Sequence, residues 1–221
     1  MKLLLRWALV TALLAGALAV ALWPRATPAT APWSTGATQA AAGHIGQPNI
    51  DQPNIDQLRS RAALQPCPSA PAGIGEGRGP LSGLVLPCLG QSTTVNLAAA
   101  LAGRPALLNL WGPLCQPCTQ ELPALAAYAA QPGAVAVLGV EVQQLPAAAL
   151  DELATLNVHY PSVSDPDGRL RAALHAPPVI PLTYLVSADG TVNQVNPPEV
   201  MRSPEQVRAV VARYLGSGAS G

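Results

Sequence analysis

The chain has 221 residues, with 12 basic and 12 acidic side chains, a formal net charge of zero and a single lysine, Lys2. Neutrality, with no basic run beyond the first residues, excludes charge-driven binding to nucleic acid. The length allows one domain with extra segments; the 24 Pro, the 19 Gly and the absence of Phe read as genome composition rather than mechanism.

In chain order, Lys2 and Arg6 precede an uncharged apolar stretch at 7–23. As a helix it would span about 25 Å, close to the roughly 30 Å of a bilayer core. Residues 1–23 therefore read as a signal peptide or signal anchor. Ala17-Leu18-Ala19 fits a small-x-small cleavage site, but the apolar run continues past it, which favours an uncleaved anchor. Lys2 and Arg6 would then stay inside and the rest of the chain outside, where disulfides persist. Residues 24–66 read as a flexible Pro/Ala/Gln-rich tether. They contain a tandem repeat, Gln47-Pro48-Asn49-Ile50-Asp51 and Gln52-Pro53-Asn54-Ile55-Asp56. Proline at every fifth position forbids a regular helix there, so the expected form is extended and solvated.

The pattern changes at Cys67, where a domain over 67–216 is expected, followed by a disordered tail at 217–221. Short strands are predicted at 84–86 and 93–97, with a helical turn at 97–101. The apolar run at 106–111 predicts a buried strand and the spacing of Leu122, Leu125, Ala126 and Ala129 a helix over 119–130. A second apolar run predicts a central parallel strand at 135–140. A helix follows at 146–156, opened by Pro146, then a strand at 161–164 and a short helix to 174 capped by Asp165. Residues 182–186 and 191–195 form a hairpin around Asp189-Gly190. Ser203 caps a last helix with Val207, Val210, Val211 and Leu215 as its apolar stripe. The order is βαβ, a helical insertion, then ββα, an α/β architecture with helices on both faces of a sheet.

Between the first buried strand and its helix stands Cys115-Gln116-Pro117-Cys118. A C-x-x-C in that setting is a thiol–disulfide exchange motif. Unpaired N–H groups and the dipole at a helix start favour thiolate over thiol. Cys115 is thus the expected attacking thiolate and Cys118, about one turn on, the resolving thiol, which displaces a mixed disulfide between Cys115 and substrate. A structural zinc site is disfavoured, because Cys67 and Cys88 supply no second close pair. Those two cysteines pair with each other as the simplest even-count solution, a bridge that would stabilise by about 3 kcal/mol. A second redox-active pair is the rival reading. Glu121 shares the helix face of Cys118; it is either an ordinary first-turn acid or a proton-transfer group. Glu141, at the end of its strand, is a lesser candidate and reads as a solvated loop carboxylate. Trp111 either packs beside the site or fills the core. His44, His159 and His175 show no metal spacing and receive no catalytic role, and no metal or cofactor beyond the Cys115–Cys118 disulfide is expected.

The segment Asn109-Leu110-Trp111-Gly112-Pro113-Leu114-Cys115-Gln116-Pro117-Cys118-Thr119-Gln120-Glu121-Leu122-Pro123, with Ile180-Pro181-Leu182-Thr183-Tyr184-Leu185-Val186 and Asp189-Gly190, resembles the thioredoxin superfamily, in particular TlpA/ResA-like extracytoplasmic thiol–disulfide oxidoreductases. The resemblance covers about residues 80–215. It departs at Leu114, where Trp commonly precedes the first cysteine, and at Gly112, where Ala is usual. It implies a thioredoxin-like fold, a Glu121 that moves protons to and from Cys118, and a cis bond before Pro181 that packs against the CxxC. It also implies substrate contacts at Ile180 and Trp111. The implied function is a membrane-tethered disulfide reductase, for example in c-type cytochrome maturation. Its partners would be exported protein disulfides or dithiols and a separate membrane electron donor or acceptor. A disulfide-forming oxidase of exported proteins and a redox-inert thioredoxin-fold binding module are the alternatives.

Overall fold

The computed structural model describes residues 54–71 and 79–216, all within one compact unit. The expected anchor at 1–23, most of the expected tether and the tail at 217–221 lie outside the described residues.

The end of the expected tether is not extended. Ile55–Ala62 form a helix, α1, capped by the Asn54 side chain, which accepts from the Asp56 N–H at 3.0 Å. The last proline of the repeat is Pro53, and directly after it Asn54 is a strong N-cap. Leu58 and Ala62 bury one face, Arg59 Nε donates to the Leu89 carbonyl at 3.1 Å, and Arg61 pairs with Asp151. Folded structure therefore reaches at least a dozen residues upstream of Cys67.

Next come β1 (Val85–Pro87), β2 (Thr94–Asn96) and the short α2 (Leu97–Leu101). The central unit is β3 (Ala106–Trp111), α3 (Gln116–Ala129) and β4 (Ala136–Glu141). Then follow α4 (Pro146–Thr155), β5 (Ser162–Ser164), α5 (Arg169–Ala173), β6 (Leu182–Val186), β7 (Val192–Gln194) and α6 (Pro204–Leu215). The expected elements are all present. Asp165 caps α5 from four residues upstream of its first residue, accepting from the Leu170 and Arg171 N–H groups at 3.1 Å each.

Five strands form one mixed sheet in the order β5-β4-β3-β6-β7, and β1 and β2 form a separate ribbon. β3 and β4 run parallel, and β3 and β6 antiparallel. Strand alternation divides the core. Leu107, Trp111, Val137 and Leu185 face α1, α3, α4 and α6. Leu108, Leu110, Leu138, Val140 and Tyr184 face the β1–β2 ribbon and α2. Every residue of β3 is buried, as its apolar run requires of a central strand. Among the described residues no helix is long and apolar enough to cross a membrane.

Candidate active site

β3 ends at Trp111, and a short loop carries the chain to Cys115, the N-cap of α3. Helix α3 starts three residues earlier than the apolar period predicts, because Pro117 sits in its first turn, where a missing N–H costs nothing. Cys115 and Cys118 are joined as a disulfide with their Cα atoms 5.2 Å apart. The Cys118 N–H donates to Cys115 Sγ at 3.2 Å. Both cysteines are largely covered, Cys115 at 7% and Cys118 at 1% exposure. Leu114, next to Cys115 in the chain, and Val179, two residues before Pro181, are exposed apolar side chains. A groove of about 450 Å³ runs beside the loop, lined by Pro113, Leu114, Thr119, Ala148, Asp151 and Glu152.

Glu121 lies one turn beyond Cys118 and is wholly buried. Alternation along β3 turns Asn109 to the same side as Trp111, and its amide donates to Glu121 Oε2 at 2.8 Å. The Met201 N–H donates to Oε1 at 3.0 Å, so the chain between β7 and α6 closes over the carboxylate. Burial outweighs both hydrogen bonds and pushes the Glu121 pKa up to about 7, with a minor contribution from the charge of Glu199. A carboxyl so placed takes or gives a proton near neutrality.

The Ile180–Pro181 bond is cis. Pro181 is buried and directly precedes Leu182, which pairs with Leu110 of β3. The proline therefore stands at the end of the sheet where β3 delivers the Cys115 loop, with half-buried Ile180 beside it. Trp111 is wholly buried among core side chains, which corrects its expected contact with substrate: the alternation that aims Asn109 under α3 also turns the indole inward. Glu141 is likewise no solvated carboxylate. It is fully buried and accepts from the Gln143 N–H at 2.6 Å, the Leu145 N–H at 3.2 Å and the Ser164 hydroxyl at 2.7 Å, which ties the β4–α4 turn to β5.

Cys67 and Cys88 form a second disulfide, and neither cysteine caps or opens a helix in the chain. Cys88 bridges to Val163 at the sheet edge. His159 touches Ala62 and Asn157, not the cysteines. Among the described residues no three His, Cys, Asp or Glu side chains group to hold a metal ion.

Three contributors escaped the sequence reading. Asn109 was visible as the one polar residue in an apolar strand. Gln143, whose Oε1 accepts from the Leu114 N–H at 2.9 Å, and Met201, which reaches Glu121 through its backbone, carry no sequence signal.

A mixed sheet with a CxxC disulfide at the start of the helix after its central strand defines a thioredoxin-like protein. More particularly, residues 84–195 match the AhpC/TSA family, and the chain belongs to it. Soluble secreted antigen MPT53 of Mycobacterium tuberculosis is 32% identical over 114 residues, 52% of this chain and 65% of that protein. Thiol:disulfide interchange protein DsbE of Pseudomonas aeruginosa is 38% identical over 95 residues, 42% of this chain and 51% of the relative. Thiol-disulfide oxidoreductase ResA of Bacillus subtilis is 30% identical over 99 residues, 43% and 54%. The chain thus spans between half and two-thirds of the curated relatives it matches. A solved structure of a secreted M. tuberculosis disulfide oxidoreductase homologous to E. coli DsbE superposes with a TM-score of 0.53 at 28% identity, covering 61% of this chain and 97% of that one.

Proposed function

We propose that the protein is an extracytoplasmic thiol–disulfide oxidoreductase that reduces disulfides in exported proteins. The observation that carries this reading is the pairing of the Cys115–Cys118 disulfide at the start of α3 with the buried Glu121 one turn on, its pKa near 7. In the reduced protein the helix N-terminus and the Cys118 N–H stabilise a thiolate at Cys115. That thiolate attacks a substrate disulfide. One substrate sulfur leaves as thiolate and the other stays bonded to Cys115. Glu121 takes the Cys118 proton, and the Cys118 thiolate displaces the second sulfur and closes the Cys115–Cys118 bond.

Exposed Leu114 beside Cys115 and exposed Val179 next to Ile180 and Pro181 supply the apolar surface on which substrate docks in this reading. The Cys67–Cys88 bridge and the secreted relatives support a compartment in which disulfides persist. The 1–23 segment is the proposed anchor, residues 24–53 the tether, and a separate membrane protein the electron donor. Cytochrome c maturation is one process that consumes such a reductant.

Equilibrating the pair with a thiol buffer tests the direction of electron flow. A potential near thioredoxin's, about −270 mV, supports the reductase; a value near −120 mV makes the protein a disulfide donor instead. Insulin reduction that survives neither in the wild type nor in any variant would leave only a redox-inert thioredoxin-fold binding module.

A further inference from the structure

The loop that presents Pro181 has few means of holding itself. It runs Pro177-Pro178-Val179-Ile180-Pro181, and its three prolines carry no N–H. Among the described residues, neither the Val179 nor the Ile180 N–H donates to another backbone group. The loop is therefore held through its carbonyls and by the elements on either side. The element before it is α5, and one residue there, Arg171, bonds in three directions. Its N–H donates to Asp165 Oδ2 at 3.1 Å. Its carbonyl accepts from the Ala176 N–H at 2.9 Å, while the His175 N–H donates to the Ala172 carbonyl at 3.1 Å. With His175 in the left-handed region at φ 48°, these two bonds make the closure that ends a helix and turns the chain away from it. The half-buried Arg171 guanidinium reaches past that closure, and its Nη2 donates to the Pro177 carbonyl at 2.9 Å.

This series of contacts is anchored in the sheet. Asp165 is buried, and its N–H donates to the Glu141 carbonyl at 2.8 Å. Glu141 ends β4 and pairs with Trp111, the last residue of β3. Pro177 is thus tied, through Arg171 and Asp165, to the same end of the sheet that delivers Cys115. We propose that Arg171 is a positioning residue for polypeptide substrates: its guanidinium fixes the Pro177–Pro181 loop, so that exposed Val179 and half-buried Ile180 meet a substrate chain already in place. The proposal rests on the docking surface proposed above.

A hydrogen bond from a charged donor to a carbonyl is among the stronger single contacts available to a loop. Without it, a substrate chain has to order the loop as it binds, and that ordering is subtracted from affinity. A small disulfide that reaches Cys115 without spanning to Val179 bears no such cost. Arg171 therefore acts on the choice between polypeptide and small disulfides, and the exchange chemistry of Cys115 and Cys118 does not depend on it. Its two backbone bonds belong to any residue at position 171 except proline. A side-chain substitution there leaves α5 and its closure in place and removes the guanidinium alone.

The test is Arg171→Met in the full chain, which keeps an apolar stem and removes the donor. The reduced protein is mixed with a disulfide-bonded peptide and, separately, with a small aromatic disulfide, and the two second-order rate constants are compared. The expected result is a peptide rate constant lowered about tenfold, as for loss of one charge-assisted hydrogen bond. The small-disulfide rate constant and the reduction potential should be unchanged. Arg171→Lys, which restores a charged donor, should recover most of the loss. Arg171→Gln, shorter and uncharged, supplies the same comparison if Arg171→Met does not fold. A wild-type peptide rate in the folded variant, an equal fall with both disulfides, or a lysine variant no better than the methionine one would overturn the proposal. A wild-type protein that reduces the small disulfide but no peptide would overturn the docking surface itself, and the role of Arg171 with it.

Discussion

The two disulfides are built for opposite ends. Cys115–Cys118 spans three positions at a helix start, with apolar surface on its approach side and an acid of pKa near 7 behind it. Cys67–Cys88 spans 21 positions and ties the segment after α1 to the end of β1, with neither cysteine at the N-cap of a helix. Loop length favours the second as a brace, since closing a longer loop removes more entropy from the unfolded chain. Helix position favours the first as a reagent, since only there does the backbone stabilise a thiolate. One bond type serves chemistry or stability according to what surrounds it.

The sharpest way to break this contrast is to exchange the defects. Cys115→Ser should abolish insulin reduction, whereas Cys67→Ser with Cys88→Ser should leave the rate per folded molecule within a factor of about two, as expected for sites with no shared partners. Activity lost equally in both would mean that Cys67–Cys88 relays electrons. The same double substitution should lower unfolding stability by about 3 kcal/mol, read from denaturant midpoints at unchanged slope. A negligible loss would remove the bridge's structural role.

Glu121 sharpens the contrast through pH. Its pKa is about 7 in the native state against 4.5 for the ordinary side chain. Between those values the native carboxyl holds a proton that the unfolded chain has released, so stability falls as pH rises through this window and levels off above it. The linked loss is up to about 3 kcal/mol. Chemical unfolding of the oxidised protein at pH 4.5 and pH 8 measures it, and Glu121→Gln should flatten the difference. A slope that persists in that variant would assign the effect to another group.

How much of this was legible follows from how far apart in sequence the partners lie. The CxxC, the strand before it and the hairpin around Asp189-Gly190 are local patterns, and they fold as read. Asn109 was half legible: a polar residue inside a buried strand needs a partner, but nothing in the sequence says that Glu121 is that partner. The Met201 N–H lies 80 positions from Glu121 and is set only by the path of the chain into α6. Glu141 looks like a loop residue because its three donors come from the next turn and from β5. Helix α1 hid behind the repeat, since it is held mainly by docking of Leu58 and Ala62 on the domain, a non-local gain that short helices need. Trp111 was open between packing beside the CxxC and filling the core, and the period of β3 puts it in the core.

The departure at Gly112 supplies the smallest test. A Cβ there would come within 2.4 Å of Gln143 Cδ and Oε1, the same oxygen that accepts from the Leu114 N–H. Glycine and glutamine are thus matched: the missing methyl lets the amide lie flat against the loop that presents Cys115. Gly112→Ala should push the Gln143 side chain aside and release Leu114, at a cost of about 1 kcal/mol for one hydrogen bond. Because Gln143 is flexible, the fold should survive and the effect should concentrate at the redox disulfide, as a shift in Cys115 alkylation rate. In a Gln143→Ala background the same glycine substitution should cost almost nothing, since the two act on one contact. Full additivity would show that the glycine answers to the backbone rather than to Gln143, and that the loop before Cys115 is held by β3 alone.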